Sequence, residues 1–414
     1  MNSKAILGVA VIFVAVIAGI AVVSFGDSND SGNDSGNDTP TTADYVIDAK
    51  GREVSIPSNL DKGIVTIGTS GPLRFVTLFD VFDKIIEVDV ADTTTNINGR
   101  GFSYAYPYYQ LDPEKNTHPR DKLDTATAEK IGKKGPSLIV TNESIWNNNS
   151  ENFESLASVC SIIVLKDQQM KYMTNSDGTL ADYLQFNINI LGKVLKKEDR
   201  AKEVVDGINE ILDDIRKLSG TSDKKVYVAG MTISGSNTLN TTFPTYIPFT
   251  INNIKNAYNG GSIENKVVMN IESFTKMDMD MIVVDPSSSD KIKGNQDSQL
   301  VLKYLYTINN DADPNNDIPI YVTMPIVWCH INFDGALASA YYTAHLVYGT
   351  LTLDQVKEKI NNVYTTFYGE HGKNIFDDMS KFFDGKSSAN GQQMPLLGEV
   401  VVKKNGDEYC LVAA

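Results

Sequence analysis

ATAEKIGKKGPSLIVTN, residues 126–142, and MNIESFTKMDMDMIVVD, residues 269–285, decide the fold. Laid over one another, they put Glu129 on Glu272 and Ile139–Val140 on Ile282–Val283, with each glutamate ten residues ahead of its isoleucine. Each copy has the spacing of a short helix followed by a buried strand, so one device recurs in two places and two equivalent lobes are expected. A carboxylate near a helix start is favoured by the helix dipole alone. The pairing adds a second reading: one acidic knob on each lobe, as a symmetric partner with basic pockets would require.

The flanking sequence repeats the alternation. Before the first copy, YVIDAKGREVSIP alternates around Lys50–Gly51 as a hairpin, GIVTIG (63–68) is a strand, GPLRFVTLFDVF (71–82) has helical spacing and IIEVD (85–89) is a strand. After it, NFESLASVC is a helix and SIIVL (161–165) a strand, the pattern of a mostly parallel sheet covered by helices. Leu180 to Leu218 is helical throughout with a break at Lys196 to Asp199, and its second part is long enough to form a stiff connector. Around the second copy, KVYVAGM, MIVVDP and IPIYVTMP are strands, while FTINNIKNAYNGG, SQLVLKYLYTI, FDGALASAYYTAHLVYG and LTLDQVKEKINNVYTTFYG are helices. Asn405–Gly406 marks a closing hairpin. The expected class is α/β, two lobes joined by a long helix, with the first lobe at 44–178, connecting helices at 179–219 and the second lobe at 220–414.

Lys4 precedes the uncharged run Ala5 to Phe25, which as a helix spans a hydrocarbon layer of about 30 Å. Residues 1–26 are expected to be a transmembrane anchor or signal, and the uncleaved anchor is favoured because a secretory core is usually shorter. Either exports the rest. Residues 27–43, rich in Asp, Asn, Ser and Gly, have nothing to bury and form a flexible acidic linker. Asn-x-Ser/Thr acceptors at Asn29, Asn33, Asn37, Asn142, Asn148 and Asn240 suit an exported chain.

With 37 basic and 52 acidic residues the net charge is −15, which repels phosphate backbones, so no nucleic-acid partner is expected. Cys160, Cys329 and Cys410 are too few and too scattered for a disulfide scaffold.

The order of parts resembles the solute-binding proteins of ATP-binding-cassette importers that carry iron-siderophore, haem or cobalamin. The features that carry it are DAKGREVSIP, GIVTIGTSGP, ATAEKIGKKGPSLIV, LGKVLKKEDRAKEVVDGI and MNIESFTKMDMDMIVVDP, over roughly 44–370. The resemblance implies an α/β fold of two Rossmann-like lobes joined by a long helix, a ligand held between them with little hinge motion, and docking of Glu129 and Glu272 into arginine pockets of a membrane permease. The family's usual lipid-attachment cysteine is missing, so the N-terminal helix is the expected tether.

Ligands of open α/β sheets sit beyond the carboxyl ends of the strands. That selects Thr69, Ser70, Arg100, Phe102, Tyr104, Tyr106, Tyr108 and Trp146 in the first lobe, where stacked rings and one guanidinium suit a planar anionic chelate. In the second lobe it selects Thr232, Tyr246, Trp328, His330 and Asn332. The expected ligand is an iron chelate (siderophore or haem) or a corrinoid, carried as cargo with no resident cofactor and no metal site of the protein's own. A receptor for free Zn or Mn would need three or four converging ligands from a chain with four histidines. An exported metal-dependent hydrolase using Asp285, Cys329 and His330 is the enzyme alternative. GKS at 385–387 lacks the glycine and the strand of a phosphate-binding loop and reads as a turn.

Overall fold

The computed structural model describes residues 44–69, 71–92, 103–104, 116–169, 172–231, 237–260, 267–328 and 330–414. The N-terminal run and linker lie outside them, as do Ser70, Arg100, Phe102, Tyr106, Tyr108 and Thr232. Among the described residues no helix is long and apolar enough to cross a membrane.

The hairpin forms as β1 (Tyr45–Ile47) against β2 (Glu53–Ser55), turned by Gly51 at φ +72. Strands β3 (Ile64–Thr66), β4 (Ile85–Asp89), β5 (Asn116–His118), β6 (Leu138–Asn142) and β7 (Ser161–Leu165) make a parallel sheet in the order β5-β4-β3-β6-β7. Their side chains are nearly all buried because helices cover both faces. Helix α1 (Pro72–Val76) is shorter than its apolar spacing predicts. A 3-10 turn, Thr77–Phe79, replaces its continuation and Asp80 at φ +50 ends it. Helix α2 (Thr125–Lys134) starts where Asp124 accepts the Thr127 amide at 2.8 Å and stops at Gly135, φ +56. Helices α3 (Glu143–Asn148) and α4 (Ser150–Ala157) follow β6.

The connector is α5 (Asp182–Val194) and α6 (Glu198–Leu218), broken at the expected place by Lys196 in the left-handed region, φ +55. Gly192 permits the tight joint, since a Cβ there would lie 2.5 Å from that of Ala201. The 21 residues of α6 span about 31 Å. They bury a stripe of Val204, Ile208, Ile211, Leu212 and Ile215.

The second sheet is built on β8 (Lys225–Ala229), β10 (Lys255–Asn256), β12 (Met281–Val284) and β13 (Ile320–Val322), while β9 (Thr241–Thr242) and β11 (Val267–Val268) pair with each other as a separate two-stranded ribbon. The segment expected to be one helix from Phe249 divides here. Helix α7 (Ile247–Asn252) ends at Asn253, φ +56, while the buried Asn252 amide donates to the Ala340 carbonyl at 2.6 Å, and Lys255–Asn256 continues as a strand. Helices α8 (Ile271–Thr275), α9 (Gln296–Ile308), α10 (Phe333–Tyr348), α11 (Leu353–Tyr368) and α12 (Ile375–Ala389) complete this half. The GKS tripeptide lies inside α12 and is not a turn. A small ribbon, β14 (Val327–Trp328) against β15 (His330–Ile331), precedes α10. The predicted closing hairpin, β16 (Glu399–Asn405) with β17 (Glu408–Ala413), carries Gly406 at φ +62. It also does something its turn signal does not announce: β16 pairs antiparallel with β13, so the order is β10-β8-β12-β13-β16-β17.

Residues Ala43–Ala414 form one compact unit. One apolar cluster runs from Ile64 and Phe79 through Leu184, Ile208 and Ile215 to Val283 and Tyr364, so both sheets and the connector share a core. A second cluster, with Val65, Ile131, Ile139, Trp146 and Phe153, lies apart from it in the first half. Arg200 fastens the halves at the foot of α6, donating from Nε to the Leu78 carbonyl (3.0 Å) and from Nη2 to those of Thr366 (2.8 Å) and Phe367 (3.0 Å). It thereby caps the carboxyl end of α11 with a cation.

Because Ile208 packs between the halves, Ile208→Ala should cost about 2–5 kcal/mol. Unfolding followed by calorimetry should remain a single transition that moves down as a whole; separate melting of the halves would contradict the shared core.

Candidate functional site

A guanidinium stands at the centre of the site, but not the one expected. Arg74 lies in the apolar run Pro72–Val76, where α1 leaves the carboxyl end of β3, and its side chain is 2% exposed. From the first half it reaches the second. Its Nη1 donates to Gln168 Oε1 at 2.8 Å and to the Ile331 carbonyl, and its Nη2 to Asn332 Oδ1 at 2.6 Å. The rings of Tyr104 and Phe333 lie 4.9 and 5.9 Å from its central carbon. Among the described residues no carboxylate comes within 4 Å of it.

The atoms around this cation are unevenly satisfied. Among the described residues, Arg74 Nε, Gln168 Nε2, Asn332 Nδ2 and Thr69 Oγ1 are buried without a hydrogen-bond partner. A guanidinium only donates, so it fixes both amides with their oxygens toward Arg74 and their NH2 groups turned elsewhere. The outcome is a buried positive charge ringed by unused donors, the complement of an anionic oxygen-rich group. Asn332 is the N-cap residue of α10, yet its side chain makes no cap bond because Arg74 takes its oxygen.

Thr69 is positioned by a second set of contacts. Its amide donates to Asp121 Oδ1 at 2.8 Å, and the Asp121 amide, at φ +51, donates to Asp89 Oδ2 at 2.8 Å. Burial pushes the Asp89 carboxyl up, against the pull of the Asp121 and Ala91 amides. His330, half-buried on the ribbon, is pushed down to about 4 by desolvation and then by the charge of Arg74, against the pull of Asp167 and Asp121. Its imidazole is therefore neutral at pH 7. Deeper in, Tyr368 of α11 donates to Asp334 Oδ2 at 2.8 Å and lies 3.5 Å from Ser103 Oγ. Burial and the Asp334 charge hold its phenol far above the ordinary range.

Of the residues named from the sequence, Tyr104, His330 and Asn332 lie near Arg74, and Thr69 is tied to Asp121, whose charge acts on His330. Two expected members lie elsewhere. Trp146 stacks on Phe153 at 5.1 Å and carries the Arg52 guanidinium 3.9 Å from its ring centre, so its indole is consumed in packing the second cluster. Tyr246 is buried edge-on to Phe249 at 4.7 Å inside the second half. Trp328 lies on the ribbon opposite His330. Arg74, Gln168, Asp334 and Tyr368 were not expected; the one usable signal was a lone arginine on the inward side of a short apolar helix. Asp285 of the hydrolase alternative is fully buried and held by the Ser287 amide at 2.8 Å. Among the described residues no three His, Cys, Asp or Glu are grouped to hold a metal ion, and Cys160 and Cys410 are unpaired.

Glu129 and Glu272 are both exposed, the latter paired with Lys276 at 2.6 Å. Their strands coincide as the repeat predicts, since Ile139 and Ile282 both follow the first residue of a central strand. Their helices do not. Glu129 lies five residues beyond its cap Asp124 and Glu272 two beyond its cap Asn270.

Comparison with known proteins decides the family. The model of the periplasmic binding protein family matches residues 80–301, more than half of the chain. The chain belongs to this family. It is a solute-binding protein of an ATP-binding-cassette importer. Solved structures with the same fold include a periplasmic solute binding protein of Veillonella parvula DSM 2008, with 16% identity, TM-score 0.52, and coverage of 80% of this chain and 96% of that one. A second is the molybdate periplasmic binding protein MolA of Haemophilus influenzae, bound to molybdate: 14% identity, TM-score 0.54, 78% and 98% coverage. A third is an ABC transporter solute binding protein of Sulfurospirillum deleyianum DSM 6946: 15% identity, TM-score 0.53, 78% and 95% coverage. No curated protein matches the chain.

Desolvation and then the charge on Arg74 hold His330 low, so Arg74→Met, which removes the second cause, should raise the His330 pKa from about 4 part of the way toward 6.5 in an NMR titration. In the wild type, the unfolded chain binds a proton at His330 that the folded one refuses between these values. This site's contribution is therefore present above about pH 6.5 and lost as pH falls toward 4. A His330 that titrates near 6.5 in both proteins would place it away from Arg74.

Proposed function

We propose that this chain captures an anionic metal chelate between its two halves, a ferric siderophore or haem bearing carboxylates or a corrinoid, and presents it to a permease. The observation that carries this reading is the buried Arg74, which has no carboxylate within 4 Å among the described residues. Leaving such a cation uncompensated costs several kcal/mol, and a bound anionic group removes that cost while filling the unused donors of Thr69, Gln168 and Asn332. Neutral His330 adds a further polar contact, or a soft donor, at the edge of the recess. The molybdate-bound relative supports the anionic character, because the same fold there holds an oxyanion.

The chain itself performs no chemistry in this reading; the importer's ATPase supplies the energy. Glu129 and Glu272, exposed one on each half, are the proposed permease contacts. The uncharged run Ala5 to Phe25 is the proposed membrane tether, holding the receptor on the outer face.

The test is a thermal-shift and calorimetric screen of residues 44–414 against ferric siderophores, haem, cobalamin and molybdate, since a ligand of the folded state raises the melting point. Arg74→Met should weaken the anion that binds by about 10- to 150-fold, the worth of a buried charged hydrogen-bond set. Equal affinity in wild type and variant would remove the anionic reading. Glu129→Ala with Glu272→Ala should leave that affinity alone and reduce uptake by cells; undiminished uptake would remove the docking assignment.

A further inference from the structure

Three of the chain's Asn-x-Ser/Thr acceptors fall on described residues, and the fold treats them differently. Asn142 is 5% exposed at the end of β6, and its amide nitrogen donates to Ser144 Oγ (3.0 Å) and Asp167 Oδ1 (2.6 Å). Asn240 is 3% exposed, donates to the Met269 carbonyl at 2.6 Å and accepts from Thr238. Neither amide can reach an enzyme without unfolding its surroundings. Asn148 is exposed. It ends α3 just before the chain kinks at Asn149, φ −138, and the hydroxyl residue of its acceptor motif, Ser150, opens α4.

The ground around it is open and polar. A hollow of about 410 Å³, lined by Lys122, Asp124, Asn148, Ser150, Glu151 and Asn152, adjoins the amide. The helices that carry Asn148 pack with Ile145, Trp146 and Phe153 in the second cluster, whereas Arg74 contacts the other half of the molecule. We propose that Asn148 is an N-glycosylation site. This rests on the export that the family membership implies, and not on which ligand is carried.

The modification is a group transfer without redox change. Asn148 Nδ2 attacks the anomeric carbon of a sugar activated on a polyprenyl phosphate or pyrophosphate and supplied by a membrane transferase. The new bond is N–C; the sugar–phosphate C–O bond breaks, the lipid phosphate leaves, and the amide proton passes to the transferase. Space for the first sugar is provided by the hollow, whose lining of amides, one lysine and acidic side chains offers hydrogen-bond partners for its hydroxyls.

The experiment uses the full chain, tagged and purified from the organism that encodes it, with peptide fragmentation across residues 135–166 and around Asn240. Most molecules should carry an added hexose- or hexosamine-based mass on Asn148 and none on Asn142 or Asn240. Asn148→Gln and Ser150→Ala should each remove that mass without moving the melting temperature of the unmodified protein made in a host lacking the transferase. Unmodified Asn148 in the native protein overturns the inference, as does a mass on this peptide that survives Asn148→Gln. Neither result bears on ligand capture, which the Arg74→Met titration decides separately.

Discussion

A buried cation with no carboxylate within 4 Å among the described residues is the constraint around which this site is arranged. Arg74 makes its bonds to carbonyl and amide oxygens on both halves, so among the described residues it is solvated by the protein without a paired carboxylate. Oxygens of that kind orient a guanidinium at modest cost; the charge itself still calls for a counter-charge. That charge shapes what lies close by. It adds to the desolvation that keeps His330 neutral, Asn332 gives up capping its own helix, and the two amides turn their NH2 groups away from Arg74.

Such a site needs a frame that keeps two halves at a fixed separation, and the shared core supplies it. Arg200 crosses the same boundary as Arg74, at the foot of the connector, but its three carbonyl acceptors include the last turn of α11, where a cation meets the negative end of a helix. Near it His371 of the second half lies 3.3 Å from Asp80 and edge-on to Phe82 at 4.8 Å. Arg200 is thus fully provided for by structure, whereas on the proposed reading Arg74 is left with work for a ligand. On that reading the difference between them is the physical distinction between a fastening and a binding residue.

Much of the frame was legible because periodicity reports burial directly. The strands at Ile64–Thr66, Leu138–Asn142, Met281–Val284 and Ile320–Val322 are short apolar runs between turn residues, and the helix break at Lys196 coincides with a loss of apolar spacing. Long-range pairing was not legible: nothing in Glu399–Asn405 announces that it closes the second sheet against Ile320–Val322. The site suffered from the same blindness. Aromatic richness pointed to the loop around Tyr104, where the ring is indeed beside Arg74, but it pointed equally to Trp146, whose ring is spent on Phe153 and Arg52. An arginine in Pro72–Val76 looks like an ordinary helical residue until the other half of the molecule is placed over it.

The repeat that decides the fold also limits how it is used. Glu129 and Glu272 stand equally far from matched strands, yet their helices start three residues apart relative to those strands. Three residues turn a helix by about 300°, so equal spacing along the chain does not by itself aim two side chains alike. If the connector and the common core hold the halves as stiffly as the family resemblance implies, the separation and direction of the two acids are the same in the loaded and the empty protein. A permease that distinguished the two states through these acids alone would have little to sense. On the proposed docking mode, the signal of loading therefore has to come from the contacts that a ligand alters, those of Arg74, Asn332 and His330 across the cleft. The α10 amino end, whose cap residue is already committed to Arg74, is the element best placed to carry it outward.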